Sequence, residues 1–106
     1  MNTHLREKIN DGGVCDNCDL PRLAHVDGEC LDDARLDDLQ PRIDKWESIV
    51  APARWAHQRE RIHAKRLRNF ARKGKATAAE VEAQECAADK AMIEYRAAIR
   101  RADQEA

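Results

Sequence analysis

From Asp32 onward, apolar and polar positions alternate with a helical period. Leu36, Leu39, Ile43, Trp46 and Val50 recur at steps of three and four, which puts them on one stripe of an α-helix. Asp32 or Asp33 is placed to cap its N-terminus, where an acid also suits the helix dipole. Pro41 and Pro52 interrupt this stretch. Each lacks a backbone donor, so the pattern predicts one helix over about 33–51, broken near 40, and a second over about 53–72. Gly74 follows a basic last turn and stops that helix. Thr77-Ala-Ala-Glu80 has the capping-box pattern. Val81, Ala88, Met92, Tyr95, Ile99 and Ala102 then form the apolar stripe of a helix over about 77–104. The loop over 73–76 is short enough to make its flanking helices antiparallel neighbours. Counting outward from that loop sets Trp55 beside Tyr95 and Ile62 beside Ala88. Trp55, Ile62, Leu67 and Phe70 are therefore expected to face the partner helix, and Trp46 and Trp55 to lie in the core.

The first third of the chain has no such period. Residues 1–10 suit a short helix or a frayed arm, and Asp11-Gly12-Gly13 is a turn signal. Over 14–31, Cys, Asn, Asp, Pro and Gly follow at close intervals, as in irregular, turn-rich chain. The expected fold is all-α: a small irregular zinc-bound head over 1–31, then a long antiparallel helical hairpin over 32–106. Few β-branched residues and abundant Ala, Arg, Glu and Asp exclude a mostly-β domain. Of the 106 residues 18 are alanine, and only 4% are aromatic. That leaves little for a deep enzymatic pocket, and a chain this small needs a staple or a partner.

The staple is written in the cysteines. Cys15, Cys18, His25 and Cys30 are spaced C-x2-C-x6-H-x4-C. Two cysteines three apart form a tight knuckle whose sulfurs can share an ion. Pro21, Asp27 and Gly28 are turn residues between ligands, as a loop wrapping an ion requires. Four soft or borderline donors suit tetrahedral Zn²⁺ in a closed site, which makes the ion structural. No HExxH, His-x-Glu, P-loop or Ser/His/Asp arrangement accompanies it, and the chain is not expected to be an enzyme.

Residues 15–30 resemble a CCHC zinc knuckle, the small module of retroviral nucleocapsids and some RNA-binding proteins. The family spacing is C-x2-C-x4-H-x4-C, so two extra residues precede His25 here. The resemblance covers 16 residues and implies Cys15, Cys18, His25 and Cys30 as ligands. It also implies single-stranded nucleic-acid binding, which needs an aromatic platform and basic flanks. This loop has no aromatic, carries Asp16, Asp19, Asp27 and Glu29, and offers only Arg22 as a cation. The metal carries over and the RNA-binding role of the loop does not. A zinc-ribbon or treble-clef-like arrangement describes the same four residues equally well.

Charge then changes the picture of the hairpin. The total is nearly balanced, with 19 basic and 20 acidic residues. Residues 1–53 hold 12 acids and 6 bases, residues 54–75 hold 1 acid and 9 bases, and residues 76–106 hold 7 acids and 4 bases. On a helix, Arg54, Arg61, Lys65, Arg68, Arg72 and Lys75 fall within one narrow arc. Such a stripe suits nucleic-acid phosphates or an acidic protein surface. Arg59 and Arg66 fall on the apolar side, placed to pair with Asp89 and Glu85 or to snorkel. Cys86 is expected as a half-buried free thiol near His63.

Two roles follow. The first is a small zinc-containing regulatory protein whose basic helix contacts nucleic acid, DNA or RNA. The alternative is a protein–protein adaptor or inhibitor using the acidic head and the hairpin, with self-association through the alanine-rich second helix. The N-terminal residues have no apolar signal region, so cytoplasmic placement with reduced thiols is expected. No run approaches the roughly 18 apolar residues of a membrane span. The preference for Arg over Lys, with abundant Ala, points to a bacterial or phage genome.

Overall fold

In a computed structural model, residues 6–106 are described. His4 and the first half of the 1–10 segment lie outside them. The element order is a 3-10 turn at Arg22–Ala24, β1 (His25–Val26), β2 (Glu29–Cys30), α1 (Asp33–Arg72) and α2 (Ala78–Glu105). The two helices pack as an antiparallel hairpin, so the all-α expectation holds. No described helix is long and apolar enough to cross a membrane.

The ends of the helices follow their local chemistry. The Arg35 amide donates to Asp32 Oδ1 at 3.0 Å, which makes Asp32 the N-cap of α1. Gly74 takes φ +72° and lets the Lys75 amide turn back to the Phe70 carbonyl at 2.8 Å. The capping box of α2 is reciprocal. The Glu80 amide donates to Thr77 Oγ1 at 3.1 Å, and the Thr77 amide donates to Glu80 Oε1 at 3.3 Å.

One expectation fails at the prolines. Instead of helices over 33–51 and 53–72, α1 runs unbroken through Pro41 and Pro52. Both rings are exposed, and so are Asp37 and Ser48, whose carbonyls lose their donors. Water can satisfy those carbonyls, while Ile43, Trp46 and Val50 are buried on the opposite side.

That continuity sets the phase of everything beyond it. The three-and-four step of Leu36, Leu39, Ile43, Trp46 and Val50 continues through Ala53, His57, Glu60, Ala64, Leu67 and Ala71, all buried or half-buried. On α2 the matching series is Val81, Gln84, Ala88, Ala91, Tyr95, Ala98 and Ala102. This is the seam of an antiparallel heptad pair. Trp55 therefore does not meet Tyr95. It is 71% exposed, and Ile62 and Phe70 are also exposed. His57 takes the place expected for Trp55, with its ring centroid 5.6 Å from that of Tyr95. Trp46 is fully buried as expected.

The described chain divides into two compact units, one made of the segment up to Val50 with Ala98–Ala106 and the other of Ala51–Ala97. In the first, Trp46 Nε1 donates to Asp103 Oδ1 at 2.8 Å, and Arg42 and Lys45 donate to the carbonyls of Ala106 and Glu105. Gly13 is buried against this base at φ +77°. A Cβ there would come within 2.6 Å of Ile99 and 3.1 Å of Trp46. The expected turn at Asp11-Gly12-Gly13 is present, closed by Asn10 Oδ1 accepting from the Gly12 amide at 2.8 Å.

In the second unit, His57 gives a pH dependence. Burial, then the nearby charges of Arg61 and Arg96, hold its pKa below the ordinary imidazole value. Below about pH 6.5 the unfolded chain takes up a proton that the folded chain does not, so stability falls as pH drops through that window. Melting curves between about pH 8 and pH 5 should show a smaller acid loss in His57→Gln than in the wild type. Equal losses in the two chains would contradict the buried, neutral ring.

Candidate metal centre

Two short loops bring the four sequence-assigned ligands together. The first is the Cys15-Asp-Asn-Cys18 knuckle. The Cys15 amide donates to the Leu20 carbonyl and the Asp19 amide to the Cys15 carbonyl, both at 2.8 Å. Asp19 closes the turn at φ +58°, a conformation that Asp tolerates better than most residues. The second is the hairpin of β1 and β2. Asp27 and Gly28 have φ of +52° and +77°, as a two-residue type I′ turn requires. The register sets His25 opposite Cys30, so their side chains leave the same face. An isolated bridge between Ile9 and Cys15 and another between Val14 and Pro21 tie the knuckle to its flanks.

The ligand atoms of Cys15, Cys18, His25 and Cys30 all lie within 4.8 Å of one another. The Cys15 and Cys30 sulfurs are 3.8 Å apart, and Cys18 Sγ is 3.3 Å from His25 Nε2. Four donors at tetrahedral angles, with metal–sulfur bonds of about 2.3 Å, stand about 3.8 Å apart along a sulfur–sulfur edge. The cluster therefore has the dimensions of a tetrahedral site. His25 Nδ1 lies 3.1 Å from the Pro21 carbonyl and 3.3 Å from that of Arg22. This assigns the proton to Nδ1 and leaves the Nε2 lone pair directed at the cluster, the usual support for a ligating imidazole.

The thiols point the same way. Burial raises Cys15, but amide N–H groups of Lys8, Asn17 and Cys18, with His25, outweigh it and bring the pKa down to about 6. The Lys8 and Asn17 amides each stand 3.4 Å from its sulfur. Burial raises Cys18, and burial together with Cys18 and Cys15 pushes Cys30 up to about 12. Without a cation the cluster holds one thiolate easily and resists a second and third. A divalent ion removes that conflict, so the donor set fits a metal.

The cations are arranged differently from the simple stripe. Arg61, Lys65, Arg68 and Arg72 are exposed on one flank of the seam, Arg54 is half-buried, and Lys75 lies past the end of α1 in the turn. Arg68 stands 3.6 Å from Glu85, so that acid pairs with Arg68 rather than with Arg66. Arg61 and Lys65 line a cleft that also contains Glu85 and Asp89. Arg59 and Arg66 lie on another face, around a shallow depression with Trp55 and Ile62. Cys86 is exposed, not half-buried, because it falls outside the seam series of α2.

Sequence reasoning missed the outward face of Trp55, Arg59, Ile62 and Arg66. The signal was available: extending the seam spacing through Pro52 assigns His57 and Ala64 to the interior and turns Trp55 and Ile62 outward. Comparison with protein families, curated proteins and solved structures finds no match to this chain, so the likeness to a CCHC knuckle rests on these four residues and their spacing.

Proposed function

We propose that the chain is a zinc-stapled binding protein, not a catalyst, whose basic helix contacts nucleic-acid phosphates. The metal part is supported by the donor set. Three sulfurs and one imidazole nitrogen at tetrahedral spacing favour Zn²⁺ over oxygen-seeking cations. All four positions are filled by protein, which leaves no open site for chemistry and gives the ion a structural role.

One observation carries the binding part. The seam turns the single acid of residues 54–75 inward. Gln84 Nε2 donates to Glu60 Oε2 at 2.6 Å and to the Glu60 carbonyl at 3.1 Å. Arg59, Arg61, Lys65, Arg66, Arg68, Arg72, Lys73 and Lys75 are all exposed around the same segment. Glu85 and Asp89 of α2 offset part of this charge beside Arg61, Lys65 and Arg68, and the remaining cations attract polyphosphate.

The test is binding of labelled DNA and RNA as a function of salt. The wild type should bind at low salt, with log affinity falling linearly in log salt concentration. Lys65→Glu with Arg72→Glu should reduce both affinity and slope, each lost contact lowering the slope by about 0.7–0.9. Neither residue holds the fold. Absence of binding at low salt, or indifference to the double reversal, would refute the proposal. The adaptor reading is favoured by exposed apolar residues on the head and the hairpin, among them Val26, Phe70 and Ile93.

A further inference from the structure

We infer that Trp55 is a stacking platform for unpaired bases, so that the preferred ligand is single-stranded nucleic acid held on the outward face of α1. This rests on the phosphate-binding role proposed above and specifies its ligand.

An exposed tryptophan forgoes the burial of a large aromatic area, roughly 150–250 Å². Trp55 is 71% exposed, while Trp46, nine residues earlier, is fully buried. The ring stands on a rigid helix whose phase is set by the seam beneath it, so it is held outward and cannot fold into the core. Beside it opens a shallow depression lined by Trp55, Gln58, Arg59, Ile62, His63 and Arg66. Its wall is mainly apolar, and its charged groups are cations. The single acid of residues 54–75, Glu60, is held in the seam by Gln84.

An apolar surface rimmed by cations favours a ligand that is apolar in one part and anionic in another. A nucleotide strand has that composition. A base offers an apolar face to the indole, and successive phosphates of a strand running along α1 toward its C-terminal end meet Arg59 and then Arg66, one turn and three turns from Trp55. A duplex hides its base faces within its own stack and can use only the cations. An exposed indole with two arginines beyond it on the same face therefore adds affinity for unpaired strands and little for paired ones. An acidic amphipathic peptide has the same two features. Only a peptide that happens to carry an aromatic side chain there could stack on the indole, whereas every base of a strand has a π-face.

The experiment compares a homopolymer strand of roughly 12 nucleotides, as oligothymidylate and oligouridylate, with a duplex of equal length. The full chain is used with its metal, in the wild type, Trp55→Ala, Trp55→Phe and Arg59→Ala/Arg66→Ala. Single strands should bind more tightly than duplex and quench tryptophan fluorescence. Trp55→Ala should weaken single-strand binding between about five- and one-hundred-fold with little change in salt slope. Trp55→Phe should recover part of that loss while showing no quenching, because its remaining Trp46 is buried. Arg59→Ala/Arg66→Ala should lower the slope instead. If nucleic acid binds but Trp55→Ala matches the wild type, or duplex binds as tightly as single strand, the stacking inference fails while phosphate binding stands. If no nucleic acid binds and an acidic amphipathic peptide quenches Trp55, both fail and the ligand of this face is a protein.

Discussion

Stripping the metal with a high-affinity chelator should unfold the N-terminal head while the Ala51–Ala97 part of the hairpin keeps its helices. The head has almost no hydrophobic interior of its own. Among its described residues only Gly13, Cys15, Pro21 and Ala24 are buried. Its regular structure amounts to a two-residue strand pair, a single 3-10 turn and a few isolated bridges. Structural zinc in small Cys/His sites supplies on the order of 10 kcal/mol, more than such a segment can obtain from packing. Amide hydrogen exchange checks this residue by residue. The amides of Cys15, Asp16 and Asp19, bonded to Leu20, Lys8 and Cys15 carbonyls, should lose protection on chelation. Cys30→Ser and His25→Gln should each give the same pattern without chelator. Unchanged protection in the stripped protein would mean that the four ligands are incidental.

The second large effect is at Trp46. Its indole fills the base of the hairpin, donates to Asp103 and forms part of the seat for Gly13. Trp46→Ala should destabilise the chain by about 3–5 kcal/mol, the usual cost of truncating a buried large aromatic. Trp46→Phe keeps most of the apolar volume and loses the hydrogen bond, so its cost should be smaller, about 1–2 kcal/mol. Trp55→Ala should leave stability nearly unchanged, because its ring packs on little. Urea denaturation followed by helical circular dichroism separates the three. Comparable losses at positions 46 and 55 would place Trp55 in the core and overturn the seam described here.

Much of this was legible in the residues. The capping box at Thr77 and Glu80, the glycine stop at Gly74 and the cap at Asp32 act through neighbours in sequence, and each formed as its chemistry predicts. The metal cluster was legible for the same reason, since its ligands sit in two local turns. Asp27 and Gly28 were legible as turn residues, but the strand pair they close, which sets His25 against Cys30, was not read from a stretch expected to be irregular. What was not legible depended on tertiary packing. A proline in a helix pattern normally marks a boundary, and only the burial of Ile43, Trp46 and Val50 on the far side shows that Pro52 is tolerated. Treating Pro52 as a break restarts the helical phase at Ala53 and lets the bulkiest side chains claim the interior. The seam instead takes small and polar residues, Ala53, His57, Glu60 and Ala64, with the His57 ring against Tyr95 and Glu60 hydrogen-bonded to Gln84 across it. Size was a poor guide to burial here, and the spacing was a better one.

The head should hold one metal ion, bound by Cys15, Cys18, His25 and Cys30. The check is X-ray absorption at the zinc edge on protein purified without added metal, with the ion counted by native mass spectrometry. One zinc per chain, with three sulfur neighbours at about 2.3 Å and one nitrogen at about 2.0 Å, is the expected result. A metal-free chain with an ordered head, or a zinc shell of oxygens lacking the three sulfurs, would contradict it.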